Sequence, residues 1–178
     1  NLPGTLSEVR SIKKVVKKSD IITGSNVTEK NIKELSANGI LSNYRVLHFA
    51  THGLAVPEIP ELSAVVLSQF TDNRGREDGY LRMGEIANLD IKADLVTLSA
   101  CDTGLGKLFG GEGVVGLTQS FLIAGANAVS VSLWRVEDES TSRFMVSMYG
   151  MAQDKDIKYV DAMTEVKRRF ISGDLGER

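Results

Sequence analysis

The chain has 178 residues, 21 basic and 23 acidic side chains, one cysteine and a formal net charge of −2. That length can bury a continuous core without metal or disulfide support, and a lone thiol excludes an internal disulfide framework, which favours a reducing, cytoplasmic setting. The intermingled, nearly balanced charges exclude a global pull toward nucleic acid or a membrane surface.

The first residue is Asn1 and nothing has the layout of a signal peptide, so the chain is expected to be an excised part of a longer protein. Apolar Val9, Ile12, Val15 and Val16 recur at helical spacing among lysines and predict an amphipathic helix over 7–18, started by Pro3 with Thr5 or Ser7. A short strand is expected over 20–22. A second helix is expected over 28–38, opened by Asn26 or Thr28 and closed by Gly39.

The run RVLHFATH over 45–52 predicts a strand, ended by Gly53 and a loop containing Pro57 and Pro60. Residues 64–67 and 79–81 flank the polar turn TDNRGRED and predict a small hairpin beside the main sheet. A short helix over 83–89 leads into a strand over 94–100, whose almost unbroken apolar character suits burial on both faces. Beyond Cys101, the glycine-rich loop TGLGKLFGGEG precedes an apolar helix over 114–124, a buried strand over 128–134 and a helix capped by Asp138 or Ser140; a final helix covers 159–170. The weakly polar stretch 114–131 is broken by Gln119, Ser120, Gly125, Asn127 and Ser130, short of a membrane span.

Strands alternating with helices predict one α/β domain over 1–178, a mostly parallel sheet with helices on both faces and a small hairpin insertion. The missing strands before the first helix and after the last imply that the fragment trims the sheet at its edges.

Parallel strands deliver their carboxyl ends to one edge, so His52 and Cys101, each at the end of an apolar run, are placed to meet there. A thiol is only slightly ionised at neutral pH and needs a base, most often histidine, to act as nucleophile. Gly53 offers a backbone amide after the base and a sharp turn; with the Cys101 amide it forms a candidate oxyanion hole. Each residue taken singly is also explained as packing. His48, about 13 Å from His52 at strand rise, is assigned to packing outright.

Two rivals fail on spacing. Histidines four apart share a metal only on a helix, and HFATH reads as a strand, so no metal is expected. A phosphate loop in GLGKLFGGEG lacks the Ser or Thr after Lys107, which leaves a nucleotide-binding α/β domain as a remote alternative.

With these residues in place, HFATHG, LSACDTGLGK, GGEGVVGLTQSFLIAGA and VSLWRVED resemble, in order, the motifs of the CHAT family. These caspase-like domains are often attached to tetratricopeptide repeats and are related to caspases and separase. LPGTLSEV and the helix over 161–170 extend the resemblance to nearly the whole chain. It implies a three-layer caspase-haemoglobinase fold and a cysteine endopeptidase with His52 and Cys101 as the catalytic dyad. The family's aromatic-rich terminal strand is absent, which agrees with truncation and bears on the activity of the isolated fragment.

WRVED is similar to separase's WDVTD, whose last aspartate lines a pocket for arginine; the matching residue is Asp138, and a helix cap explains it equally well. Glu112, shared with the family, is a candidate substrate contact, although an acidic residue is favourable at any helix start. Trp134 reads as packing or as a pocket wall, and Asp102 has no assigned role, since its charge would oppose thiol ionisation. The resemblance further implies a protein substrate, restraint by attached repeat modules, a signalling, cell-death or defence setting, and no cofactor. A catalytically silent scaffold is the alternative from another class.

Overall fold

The computed structural model describes residues 3–56, 58–69, 77–99, 112–132 and 137–175. Along the chain run α1 (Pro3–Val15), α2 (Glu29–Ala37), β1 (Val46–Phe49), β2 (Gly53–Leu54), β3 (Ala64–Val66), β4 (Tyr80–Arg82) and α3 (Met83–Ala87). They are followed by β5 (Leu95–Leu98), α4 (Glu112–Ile123), β6 (Val129–Val131), α5 (Asp138–Asp154) and α6 (Tyr159–Ser172). Two compact units result: residues 22–135, and residues 1–21 with 136–178.

In the unit 22–135, β1, β5 and β6 form a parallel sheet in the order β1-β5-β6, and β2, β3 and β4 form an antiparallel sheet in chain order. The fold is therefore mixed α/β with a parallel three-stranded sheet flanked by helices, as a caspase-like three-layer fold requires. Strand β5 is central, and consecutive Leu95, Val96 and Thr97 are all buried. Successive strand residues face opposite ways, so both faces of β5 are covered, as its apolar run predicts.

Alternation also places Leu47, Phe49, Val96, Leu98 and Val129 on one face of the parallel sheet, where they join the main core. Helix α4 meets it with Leu117 and Phe121, four residues apart, and Ala124 follows directly after the helix. Phe121 is fully buried, its ring 5.5 Å from that of Phe49, and burial of such a side chain stabilises by roughly 1.5–3 kcal/mol. Ile32 of α2, Ile86 of α3, and Val65 and Leu81 of the small sheet close the same core.

Helix α2 begins as its sequence predicts: the Asn31 N–H donates to the Thr28 hydroxyl at 3.2 Å. Its buried Glu29 and partly exposed Lys33 build a polar clamp that sequence pattern did not reveal. The Lys33 ammonium donates to Glu85 at 2.6 Å, Glu77 at 3.0 Å and Glu29 at 3.3 Å. The second Glu29 oxygen accepts the Gly79 N–H at 2.6 Å, and the second Glu85 oxygen accepts the Arg82 N–H at 2.8 Å. One lysine thus ties α2 to α3 and to both sides of the turn into β4.

Burial pushes the Glu29 carboxyl above the usual glutamate range, and the Gly79 amide only partly offsets it. Burial pulls Lys33 down, but its hydrogen bonds to Glu85 and Glu77 outweigh that and hold it above the usual lysine range. Glu85 is pushed up by burial and more strongly down by Lys33 and the Arg82 amide, so it ends low.

In the other unit, α5 packs against both α1 and α6. Met148 and Tyr149 of α5 are buried, as are Ala162 and Val166 of α6. Phe144 meets Phe170 at 5.6 Å between ring centroids, and Tyr149 meets Tyr159 edge-on at 6.1 Å. Helix α6 ends in a left-handed Gly173, with the Asp174 N–H returning to the Arg169 carbonyl at 2.9 Å.

Local expectations are corrected in four places. Residues 20–22 form no strand; three residues carry too little propensity to extend without a paired neighbour. The first strand stops at Phe49 rather than His52, because the chain leaves the parallel sheet to join the antiparallel one. Strand β6 is half-buried, as suits the edge it forms among the described residues. Glu137 occupies the cap position of α5 that Asp138 or Ser140 was expected to take. The Ser140 hydroxyl donates to the Glu137 carboxylate at 2.9 Å, and Thr141 returns both its N–H and its hydroxyl to the Glu137 carbonyl.

Candidate active site

Strands β1 and β5 are parallel neighbours in the register Val46 with Leu95 through Phe49 with Leu98. The Ser99 N–H donates to the Phe49 carbonyl at 2.9 Å, so pairing persists to the carboxyl ends of both strands. Strand β6 joins β5 in the same direction, Leu98 opposite Val131, and ends at this edge too. The edge is where the chemistry of open α/β sheets collects, because loops from several strands converge there.

His52 is half-buried in the bend between β1 and β2, three residues past Phe49. Its carbonyl accepts the Val66 N–H at 2.8 Å, while the Thr51 hydroxyl donates to the Val66 carbonyl. Both main-chain groups of Val66 therefore hold the bend that carries His52.

Gly53 departs from expectation in one respect. It lies in the extended strand β2, outside the positive-φ glycines, so the sharp turn is made by the residues before it. Gly53 pairs with Val65, and the bond between His52 and Val66 marks the adjacent pair as hydrogen-bonded. Antiparallel pairs alternate between bonded and non-bonded types. The Gly53–Val65 pair is thus non-bonded, and the Gly53 N–H and C=O are directed away from β3. In the order β2-β3-β4, that is the outer side of a strand that stands at the edge among the described residues. Strand β2 lies where the prolines predict a loop; the signal for it is the apolar LAV following Gly53.

His48 stands inside β1 opposite Thr97, and the segment from His48 to His52 is strand and bend rather than helix. Among the described residues, no group of three or more His, Cys, Asp or Glu could hold a metal ion. Likewise, no described helix is long and apolar enough to cross a membrane.

Glu112 is the first residue of α4 and Asp138 the first of α5, positions where the helix dipole favours an acidic residue without further function. Their side chains lie outside the described set, as do Cys101, Asp102, the glycine-rich loop up to Gly111, and Trp134.

The family model described as CHAT domain matches residues 1–177. No curated protein and no solved structure matches the chain.

Proposed function

The chain belongs to the CHAT domain family, and from that membership we propose a cysteine endopeptidase that cuts a specific protein partner, with Cys101 as nucleophile and His52 as proton carrier. The parallel pairing of β1 with β5 carries this reading. It brings to one edge the two strands that lead, each after three residues, to His52 and to Cys101. Three residues of chain reach no further than about 11 Å, which supports a meeting of His52 and Cys101 near those neighbouring strand ends.

In the proposed reaction, His52 takes the thiol proton and the Cys101 sulfur attacks the scissile carbonyl carbon. The resulting oxyanion is received by the Gly53 and Cys101 amides. The phase of the β2 ladder supports this role, since it leaves the Gly53 N–H unused by β3. Collapse expels the amine, which collects the proton from His52, and leaves a thioester. Water then attacks the thioester with His52 as base, releasing the acid and restoring the thiol. No cofactor takes part.

Trp134, Glu112 and Asp138 are assigned to substrate binding, with Asp138 facing an arginine before the cut through a bidentate, charge-assisted contact. The protein is further proposed to act in the cytoplasm under the restraint of attached tetratricopeptide-like repeats.

The deciding experiment mixes the full-length protein, wild type or Cys101→Ala, with candidate partner proteins and follows fragments by mass spectrometry. Fragments are expected from the wild type alone. Cleavage surviving the substitution would remove Cys101 from the reaction. Absence of both cleavage and thiol-probe labelling under every activating condition would instead assign the domain to a silent scaffold. In the same assay, Asp138→Ala is expected to abolish a preference for arginine before the cut, and an unchanged preference would take Asp138 out of the pocket.

A further inference from the structure

Between β2 and β3 the chain exposes three large apolar side chains within nine residues: Leu54 at 37 %, Ile59 at 50 % and Leu62 at 44 %. The segment is nonetheless well tied. Leu54 pairs with Ala64, the Val56 N–H donates to the Ser63 hydroxyl at 3.0 Å, and the Leu62 N–H donates to the Ile59 carbonyl at 2.9 Å. Glu58 and Glu61 alternate along this short segment with the exposed apolar Ile59 and Leu62. Both glutamates are exposed, and neither makes an ion pair among the described residues.

We propose that Leu54, Ile59 and Leu62, with Glu58 and Glu61, dock the stretch of polypeptide that follows the cleaved bond, an extended segment carrying apolar side chains and lysine or arginine. The proposal rests on the peptidase reading, because His52 hands its proton to the leaving amine and so stands on the leaving side. Strand β2 continues directly from His52, with the Gly53 N–H and C=O on its outer side. An extended chain arriving there can add to the edge through main-chain hydrogen bonds, its side chains meeting the exposed Leu54, Ile59 and Leu62. The two exposed carboxylates select basic residues on the incoming segment. They also disfavour a second copy of this chain as occupant, since a two-fold contact would set the same acidic patch against itself.

Binding and turnover are tested separately. Fluorescein-labelled hexapeptides of alternating leucine with lysine, or leucine with glutamate, are titrated into the full-length Cys101→Ala protein by fluorescence polarisation. The lysine peptide is expected to bind about tenfold or more tightly than the glutamate peptide, and to weaken as salt rises. Glu58→Lys with Glu61→Lys is expected to reverse that order, and Ile59→Asp with Leu62→Asp to remove binding, with thermal melts unchanged. Equal affinity for both peptides, or variants that bind as the parent does, would overturn the docking surface. So would a dimer in sedimentation that Ile59→Asp with Leu62→Asp dissolves while peptide binding stays the same. In the wild type, a digest of a proteome-derived peptide library is expected to show basic and apolar residues after the cut. A library left uncut while the lysine peptide still binds in this pattern would count against the peptidase reading and leave the docking surface standing.

Discussion

Gly125→Ala is expected to lower the thermal midpoint by roughly 8–16 °C, the equivalent of about 4 kcal/mol in a chain of this size. Gly125 ends α4 with φ at 108°, a backbone conformation that strains any residue bearing a Cβ. A Cβ there would also fall well inside contact distance of the Ile91 carbonyl oxygen. Neither side can retreat: the Ile91 N–H is bonded to the Ala124 carbonyl at 2.8 Å, and the Asn127 N–H to the Ala93 carbonyl at 2.8 Å. Two other glycines calibrate the effect. At Gly116 the added Cβ meets the tip of the Met83 side chain, which can move, so about 1 kcal/mol is expected. At Gly84 in α3 nothing lies within 4 Å, and alanine is expected to stabilise by about 0.5–1 kcal/mol. Calorimetry of the three variants gives the order; a Gly125→Ala shift no larger than that of Gly116→Ala would refute the rigid approach of the two backbones.

Lys33→Met is expected to destabilise by about 2–3 kcal/mol at neutral pH. The value lies below that for a fully buried pair because the Lys33 side chain is 33 % exposed. The loss comes from what remains: Glu29, with its side chain 1 % exposed, would sit beside Glu85 without the ammonium that hydrogen-bonds to both. The sign of the pH dependence follows. Glu29 is already raised by burial, and removing Lys33 raises it further, so between its unfolded and folded values the native state binds more protons than the unfolded one. Stability of the variant therefore rises as pH falls from neutral through the raised folded value of Glu29, narrowing the gap to wild type. Glu85 works the other way in the intact protein, its contribution being present above the unfolded value and lost as pH falls through its lowered folded value. Adding Glu29→Gln to Lys33→Met is expected to recover about half of the loss, since an amide needs no counter-charge. Urea denaturation at neutral and at mildly acidic pH measures this, and a gap that widens in acid would rule out Glu29 as the source.

Local chemistry made much of this fold legible in advance. Thr28 caps α2, Gly39 and Gly125 follow the helices they were expected to end, and the apolar run of β5 announced a central strand buried on both faces. The antiparallel pair β3–β4 was visible because two apolar runs flank a polar, glycine-bearing turn. Less legible were the features that depend on a partner distant in sequence. Strand β2 has two residues and exists only through Val65 and Ala64. Residues 20–22 look like a strand but make no pairing in either sheet. Glu137 takes the cap position of α5 through its backbone, its carbonyl accepting the Thr141 N–H, which spacing did not favour over Asp138.

The sequence by itself determined the mixed α/β class, the order of the helices and main strands, and the family, whose model spans nearly the whole chain. These follow from periodicity, capping and motif order, which are written into neighbouring residues. Only the tertiary structure decided that β1 and β5 are adjacent and in register, that Gly53 turns its amide away from β3, and that Lys33 gathers three carboxylates. The reason is physical: strand adjacency, ladder phase and ion clustering depend on hydrogen bonds and charges between segments up to about fifty residues apart. Such pairs are set by packing of the whole core rather than by the preferences of any one stretch.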